Sequence, residues 1–247
     1  MNDTTLQKMK HLKFFGMLRA FRTTMESGQI NQYTPDEMIG FLIESEWDDR
    51  QNRKIELGLK NAKFRYKAGI ENIIYDKRSL EKNEVHRLAD CTFIEKKQNL
   101  IITGSTGVGK SYLASAIGHQ ACTNGYKVIY ANTAKLIAKL KMSKVDGSYL
   151  RELTRIEKQD LLILDDFGIQ PFDAQGRASL MEMIEDRHEK SSLIITSQVP
   201  VKQWYDIIGE KTIADAILDR IVHDAIRLDL KGESMRKRKK EENEINN

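Results

Sequence analysis

Asn99-Leu-Ile-Ile-Thr-Gly-Ser-Thr-Gly-Val-Gly-Lys-Ser-Tyr-Leu-Ala114 joins an apolar run, a glycine-rich octet and the start of an apolar helix. The octet Gly104, Ser105, Thr106, Gly107, Val108, Gly109, Lys110, Ser111 satisfies the pattern GxxxxGK[ST] in full. Glycines at those positions let backbone N–H groups turn inward around phosphate oxygens, and the helix that follows adds partial positive charge at its N-terminus. Lys110 can reach the β- and γ-phosphates, and the Ser111 hydroxyl can ligate Mg²⁺. The stretch predicts a buried strand over 99–103, a helix from Tyr112 and a nucleoside triphosphate between them.

On either side of this stretch, strands are expected at Leu100–Thr103, Val128–Ala131, Leu161–Leu164, Leu193–Thr196 and Ile226–Leu230, with helices between them. Strands alternating with helices predict a parallel sheet covered on both faces. Leu161-Leu-Ile-Leu-Asp-Asp166 is an apolar strand ending in two acids. Ligands of open α/β sheets bind at the carboxyl ends of strands, so Asp165 is expected to hold Mg²⁺ through water and Asp166 to polarise the attacking water. Leu193-Ile-Ile-Thr-Ser-Gln198 also ends in polar groups, and either Ser197 or Gln198 can meet the γ-phosphate or the attacking water. Arg220, in Ile217-Leu-Asp-Arg-Ile221, either pairs with Asp219 on the surface or reaches a neighbouring subunit's nucleotide.

The 247 residues suit one α/β domain with a small appendage. Residues 1–69 read as a helical domain. An apolar stripe of Leu6, Phe14, Met17, Leu18, Phe21 and Met25 marks one helix, ended by Ser27-Gly28. Thr34-Pro-Asp-Glu37 forms a capping box that opens a second helix, through Trp47 to about Tyr66, with Gly69 as its stop. Residues 70–98 connect, with a helix near 79–89. The ATP-binding domain then spans 99–231, and the basic tail 232–247 is expected to be disordered.

Net charge is +4, concentrated in basic ends: Lys8, Lys10, Lys13, Arg19 and Arg22 near the start and Arg236-Lys-Arg-Lys-Lys240 in the tail. No base-reading motif accompanies them. Lys8, Arg19, Arg22, Lys139, Lys141 and Lys144 are therefore candidate phosphate contacts to duplex DNA, largely indifferent to sequence. Cys91 and Cys122 lie far apart without metal-ligand spacing and read as reduced structural thiols. With no apolar leader and no membrane-length run, the expectation is a soluble, cytoplasmic protein without membrane contact.

GSTGVGKSYLA, LLILDDFG, SLIITSQVP, AILDRIVHDA and LKGESMRKR, in that order, resemble the IstB family of transposition helper ATPases. LKFFGMLRAF and LKNAKFRYKAGIENIIY extend the resemblance over residues 6 to 240. It implies an AAA+ P-loop ATPase that binds ATP and Mg²⁺, oligomerises with ATP on duplex DNA and presents target DNA to its transposase. The DnaC helicase loaders, which share the ATPase motifs, are the alternative. By position the resemblance makes Lys110 and Ser111 phosphate-loop residues, Asp165 the metal acid and Asp166 the water-activating acid. Ser197 takes the sensor-one position, Arg220 that of an arginine finger and Arg236 that of sensor two. Most AAA+ proteins carry Glu where Asp166 stands, and its shorter reach implies slow or partner-stimulated hydrolysis.

Overall fold

A computed structural model describes residues 2–75 and 79–235, which divide into two compact units between Leu57 and Gly58. The division falls inside a helix rather than at residue 69.

In the first unit, α1 (Asn2–His11) and α2 (Phe15–Glu26) are separate helices where one was expected. Lys13 takes φ +60°, Phe14 N–H donates to Met9 O (2.8 Å) and Lys13 N–H to Lys10 O (3.1 Å). This is a left-handed C-terminal cap with lysine in the place usually held by glycine. The capping box before α3 (Pro35–Ala62) forms: Thr34 N–H donates to Glu37 Oε2 (2.8 Å) and Glu37 N–H to Thr34 Oγ1 (3.3 Å). Glu46 of α3 reaches the open N-terminus of α2, accepting from Gly16 N–H (2.8 Å) and Met17 N–H (3.3 Å), and takes Arg50 Nε at 2.7 Å. The helices meet so closely there that a Cβ on Gly16 would lie 2.3 Å from Ser45 O. α3 stops at Ala62, where Lys63 takes φ +57°, short of the expected Tyr66.

Residues 70–98, expected to connect, are part of the second unit's core. They include α4 (Lys82–Ala89) and α5 (Thr92–Glu95), and Ile70, Ile73, Leu80, Val85, Leu88, Phe93 and Ile94 are buried. Then come β1 (Leu100–Gly104), α6 (Lys110–Thr123), β2 (Val128–Asn132), α7 (Thr133–Val145), α8 (Tyr149–Glu157) and β3 (Leu161–Phe167). They are followed by α9 (Ala174–Arg187), β4 (Ser192–Ser197), α10 (Trp204–Ile208), α11 (Lys211–Val222) and β5 (Ile226–Leu230). The five strands form one parallel sheet in the order 2-3-4-1-5, as the alternating pattern predicts.

Period-two alternation explains the two cores. Leu100, Ile102, Leu161, Ile163, Ile194 and Leu228 face Leu113 and Ile117 of α6. Ile101, Leu162, Leu164, Leu193 and Ile195 face the other way, with Leu140 of α7, Leu180 of α9 and Ile217 of α11. Cys91 and Cys122 are both buried free thiols, and burial pushes each up to about 11. Among the described residues no helix is long and apolar enough to cross a membrane.

Candidate functional site

β1 delivers the chain into the glycine-rich loop, and α6 begins at Lys110. Gly109, at φ +96°, turns the loop into the helix in a conformation that side chains disfavour. A Cβ on Gly104 would lie 2.3 Å from Leu230 O, so β5 can approach the loop only because nothing projects there. Lys110 is 6% exposed, and its Nζ donates to Gly104 O and Ser105 O at 2.8 Å each, which holds the ammonium inside the loop.

Ser111 Oγ donates to Asp165 Oδ1 (2.7 Å), bringing together the two residues assigned to the metal. One hydroxyl and one carboxylate are too few for an all-protein cage. They fit a metal that keeps several waters and takes phosphate oxygens, as Mg²⁺ does in phosphate-transfer sites. Among the described residues, no group of three or more His, Cys, Asp or Glu side chains offers a competing centre.

A β-bulge sets the two acids. Leu164 pairs with Ile195 and Phe167 with Ser197, so Asp165 and Asp166 together oppose Thr196 alone. Asp166 absorbs the extra residue at φ +60°. Thr196 fills the bulge, accepting from Asp166 N–H (3.1 Å) and donating to Asp165 Oδ1 (2.5 Å). Asp165 Oδ2 accepts from the Tyr130 hydroxyl and from Arg65 Nη1 (3.2 Å). Asp166 Oδ2 accepts from Arg65 Nη1 and from Asn132 Nδ2, both at 3.2 Å. Burial and the hydrogen bond to Asp165 push the Tyr130 phenol well above its usual range, so it stays a donor.

The other expected residues fall in different places. Ser197 is buried, with its hydroxyl donating to Phe167 O (2.7 Å) and accepting from Val199 N–H (3.0 Å). Gln198 is the one of the pair that touches the phosphate loop, with Oε1 accepting from Thr106 Oγ1 (2.6 Å). Arg220 lies at the opposite end of the sheet: its carbonyl accepts from Asn99 Nδ2 (3.2 Å), and Asn99 immediately precedes β1. Its guanidinium pairs with Glu185 (2.7 Å), not Asp219, and donates to Ala216 O (2.8 Å). Arg236 lies outside the described residues. Part of the segment expected to be disordered is ordered here: Met235 N–H donates to Gly107 O (3.0 Å).

The candidate DNA contacts divide by environment. Lys8, Arg22 and Lys144 are exposed, Lys144 over the Tyr149 ring at 4.4 Å. Arg19 pairs with Asp49, Lys139 with Glu152 (2.6 Å) and Lys141 with Asp173.

Arg65, Tyr130, Asn132 and Thr196 were not anticipated. The strand-end rule that found Asp165 could have found Asn132 and Thr196, which close β2 and approach the end of β4. Arg65 follows a helix end that carries no glycine or proline, and nothing in its local sequence marks it.

A glycine-rich loop, its closing serine against a strand-end aspartate and a 2-3-4-1-5 parallel sheet define a P-loop ATPase of the AAA+ class. Residues 7–243 match the family described as IstB-like ATP binding protein, and the chain belongs to that family. It is 42% identical over 94% of its length to a Sinorhizobium fredii protein named as insertion sequence ATP-binding protein y4pL, and covers 96% of it. It is 36% identical to the ATP-binding protein of insertion sequence IS1162 from Pseudomonas fluorescens, over 81% of this chain and 87% of that one. The fold is similar to the crystal structure of the DnaC helicase loader, with TM-score 0.54, 22% identity and coverage of 67% of this chain and 98% of that one.

Proposed function

We propose that this chain is the ATP-hydrolysing helper of an insertion-sequence transposase, assembling on duplex DNA with Mg²⁺·ATP and presenting that DNA to the transposase. The contact between Ser111 and Asp165 at the mouth of the phosphate loop carries the reading, because it unites a metal ligand with the carboxylate that orients metal-bound water. Lys110 meets the β- and γ-phosphates, Ser111 and Asp165 hold Mg²⁺, and Asp166 orients the attacking water. Gln198 senses the γ-phosphate, a role its bond to Thr106 supports better than the turned-away hydroxyl of Ser197. Arg220 serves a neighbouring subunit's nucleotide. Lys8, Arg22 and Lys144 contact DNA phosphates. The names of the relatives, all tied to insertion sequences, support a transposase as partner.

A strand-transfer assay with the transposase of the chain's own insertion sequence as the test partner checks the reading. ATP and this chain together should raise integration into target DNA well above transposase alone. Integration indifferent to both, with the chain hydrolysing ATP normally, would overturn the partnership and favour a helicase-loading role.

A further inference from the structure

We propose that Arg65 is a displaceable latch on the metal site: its guanidinium bridges Asp165 and Asp166 and is expelled when a metal–nucleotide complex takes those carboxylates. The proposal rests on the reading of the site as one for Mg²⁺·ATP.

A carboxylate offers about four lone-pair sites, and those of Asp165 are taken. Oδ1 accepts from Ser111 (2.7 Å) and Thr196 (2.5 Å), Oδ2 from Tyr130 and Arg65 (3.2 Å). Water ligands of a metal can reach this carboxylate only if one donor leaves. Three donors are fixed by their surroundings: Thr196 is locked into the bulge, Tyr130 sits on β2 in register with β3, and Ser111 is in the first turn of α6. Arg65 differs in every respect. Its side chain is 43% exposed, its bonds are the longest of the set, and it lies outside helix and strand, two residues past the positive φ of Lys63. It also carries charge of the same sign as the metal, so the two repel when they share the carboxylates. Its head can return to water at little cost, whereas Thr196 is fully buried and Tyr130 and Ser111 are partly buried, so their hydroxyls would give up a partner away from bulk water.

The latch has two consequences. Arg65 neutralises both acids, so free metal competes poorly, and the triphosphate must bring its own charge to shift the balance. The segment around Arg65 is pinned to α6, with the Phe64 ring 4.9 Å from that of His119 and Tyr66 6.1 Å from Tyr112. Expelling Arg65 removes its central tie, so metal loading is felt in the backbone directly after α3.

Mg²⁺ titrations with a fluorescent ATP analogue test this on the wild type, Arg65→Ala and Arg65→Lys, with analogue binding in EDTA measured alongside. Arg65→Ala should reach half-saturation at about tenfold lower Mg²⁺, as expected for losing a charge-assisted bond. Its affinity in EDTA should be unchanged, and Arg65→Lys should fall between. An unchanged or higher Mg²⁺ requirement, or lost binding in EDTA, would overturn the latch and make Arg65 a nucleotide ligand. If the wild type binds no analogue at any Mg²⁺, the site reading fails and takes the latch with it. Should Arg65→Ala not fold, hydrogen exchange on the wild type decides. Amides of residues 64–68 should exchange faster with Mg²⁺ and a non-hydrolysable ATP analogue, and slower or unchanged exchange contradicts the proposal.

Discussion

Asp165 and Asp166 are neighbours in sequence held in opposite ways. Asp165 is completely buried under four donors, which would hold its carboxylate fixed if it orients the waters of a metal. Asp166 is 21% exposed and held in the left-handed region by the bulge, which lifts its carboxylate away from the strand. Asp165→Asn puts an amide donor among hydroxyl and guanidinium donors and removes the charge facing the metal. It should abolish the Mg²⁺ dependence of ATP binding and lower stability by about 1–3 kcal/mol. Asparagine tolerates the left-handed region, so Asp166→Asn should fold like the wild type and keep ATP. Its turnover should fall by about 10²–10⁴, the usual worth of a positioned base. Equilibrium binding and steady-state hydrolysis of the two variants check this, and normal turnover by Asp166→Asn would mean another group orients the water.

At the scale of elements, Glu46 joins α2 to α3 within the first unit, completing a helix N-terminus that has no cap of its own. Burial works against the Glu46 carboxylate, but the hydrogen bonds from Arg50, Met17 and Gly16 outweigh it and hold the group below its usual value. A carboxyl lowered on folding contributes stability that is complete above its unfolded value of 4.5 and is lost as pH falls through the lower folded value. Thermal melts followed by circular dichroism should therefore show the first unit weakening below pH 4.5 in the wild type, and Glu46→Gln should reduce that dependence, leaving the part that comes from Asp49 and Glu37, which are also held low. Gly16→Ala should cost about 1–3 kcal/mol, because the added methyl meets backbone rather than a movable side chain. A wild-type melting temperature for Gly16→Ala would show that the helices can part.

The same scale shows what could be read from the chain and what could not. All five strands were legible: β1 to β4 leave apolar runs bounded by polar ends, and in β5 exposed Arg227 and Asp229 alternate with buried Leu228 and Leu230. The capping box at Thr34 was legible because its mechanism is local. Helix ends after α1, α3 and α5 were not: Lys13, Lys63 and Lys97 each take the left-handed position where glycine would have announced the stop. Missing the stop at Lys63 also hid Arg65, whose role comes from distant residues brought together by the fold. The contact between Ser111 and Asp165 joins two residues that the sequence marks separately, one closing the glycine-rich octet and the other closing an apolar strand. The choice between Ser197 and Gln198 depends on which way each side chain turns, and a strand-end pattern does not encode that.

For the whole molecule, the decisive fact is that Arg220 and the phosphate loop belong to opposite ends of one sheet. Arg220 sits beside Asn99 at the amino end of β1, and the loop leaves the carboxyl end, so the role proposed for Arg220 requires a second subunit. In that role it must exchange Glu185 for a γ-phosphate, and such fingers are worth about 10³–10⁵ in rate. Mixing Arg220→Ala with Lys110→Ala subunits should recover part of the lost hydrolysis, since one interface type then joins an intact loop to an intact arginine. No recovery from folded, associating variants would leave Arg220 as a structural tie between α11 and α9. DNA binding should weaken steeply with salt through Lys8, Arg22 and Lys144, and less through Lys139 and Lys141, whose charge is shared with Glu152 and Asp173. Sedimentation velocity of the chain on a long duplex, with ATP, with ADP and as Lys110→Ala, measures whether ATP drives assembly on DNA. ATP should produce a large protein–DNA assembly that ADP and Lys110→Ala do not form; an assembly of equal size in all three would contradict an ATP-driven helper.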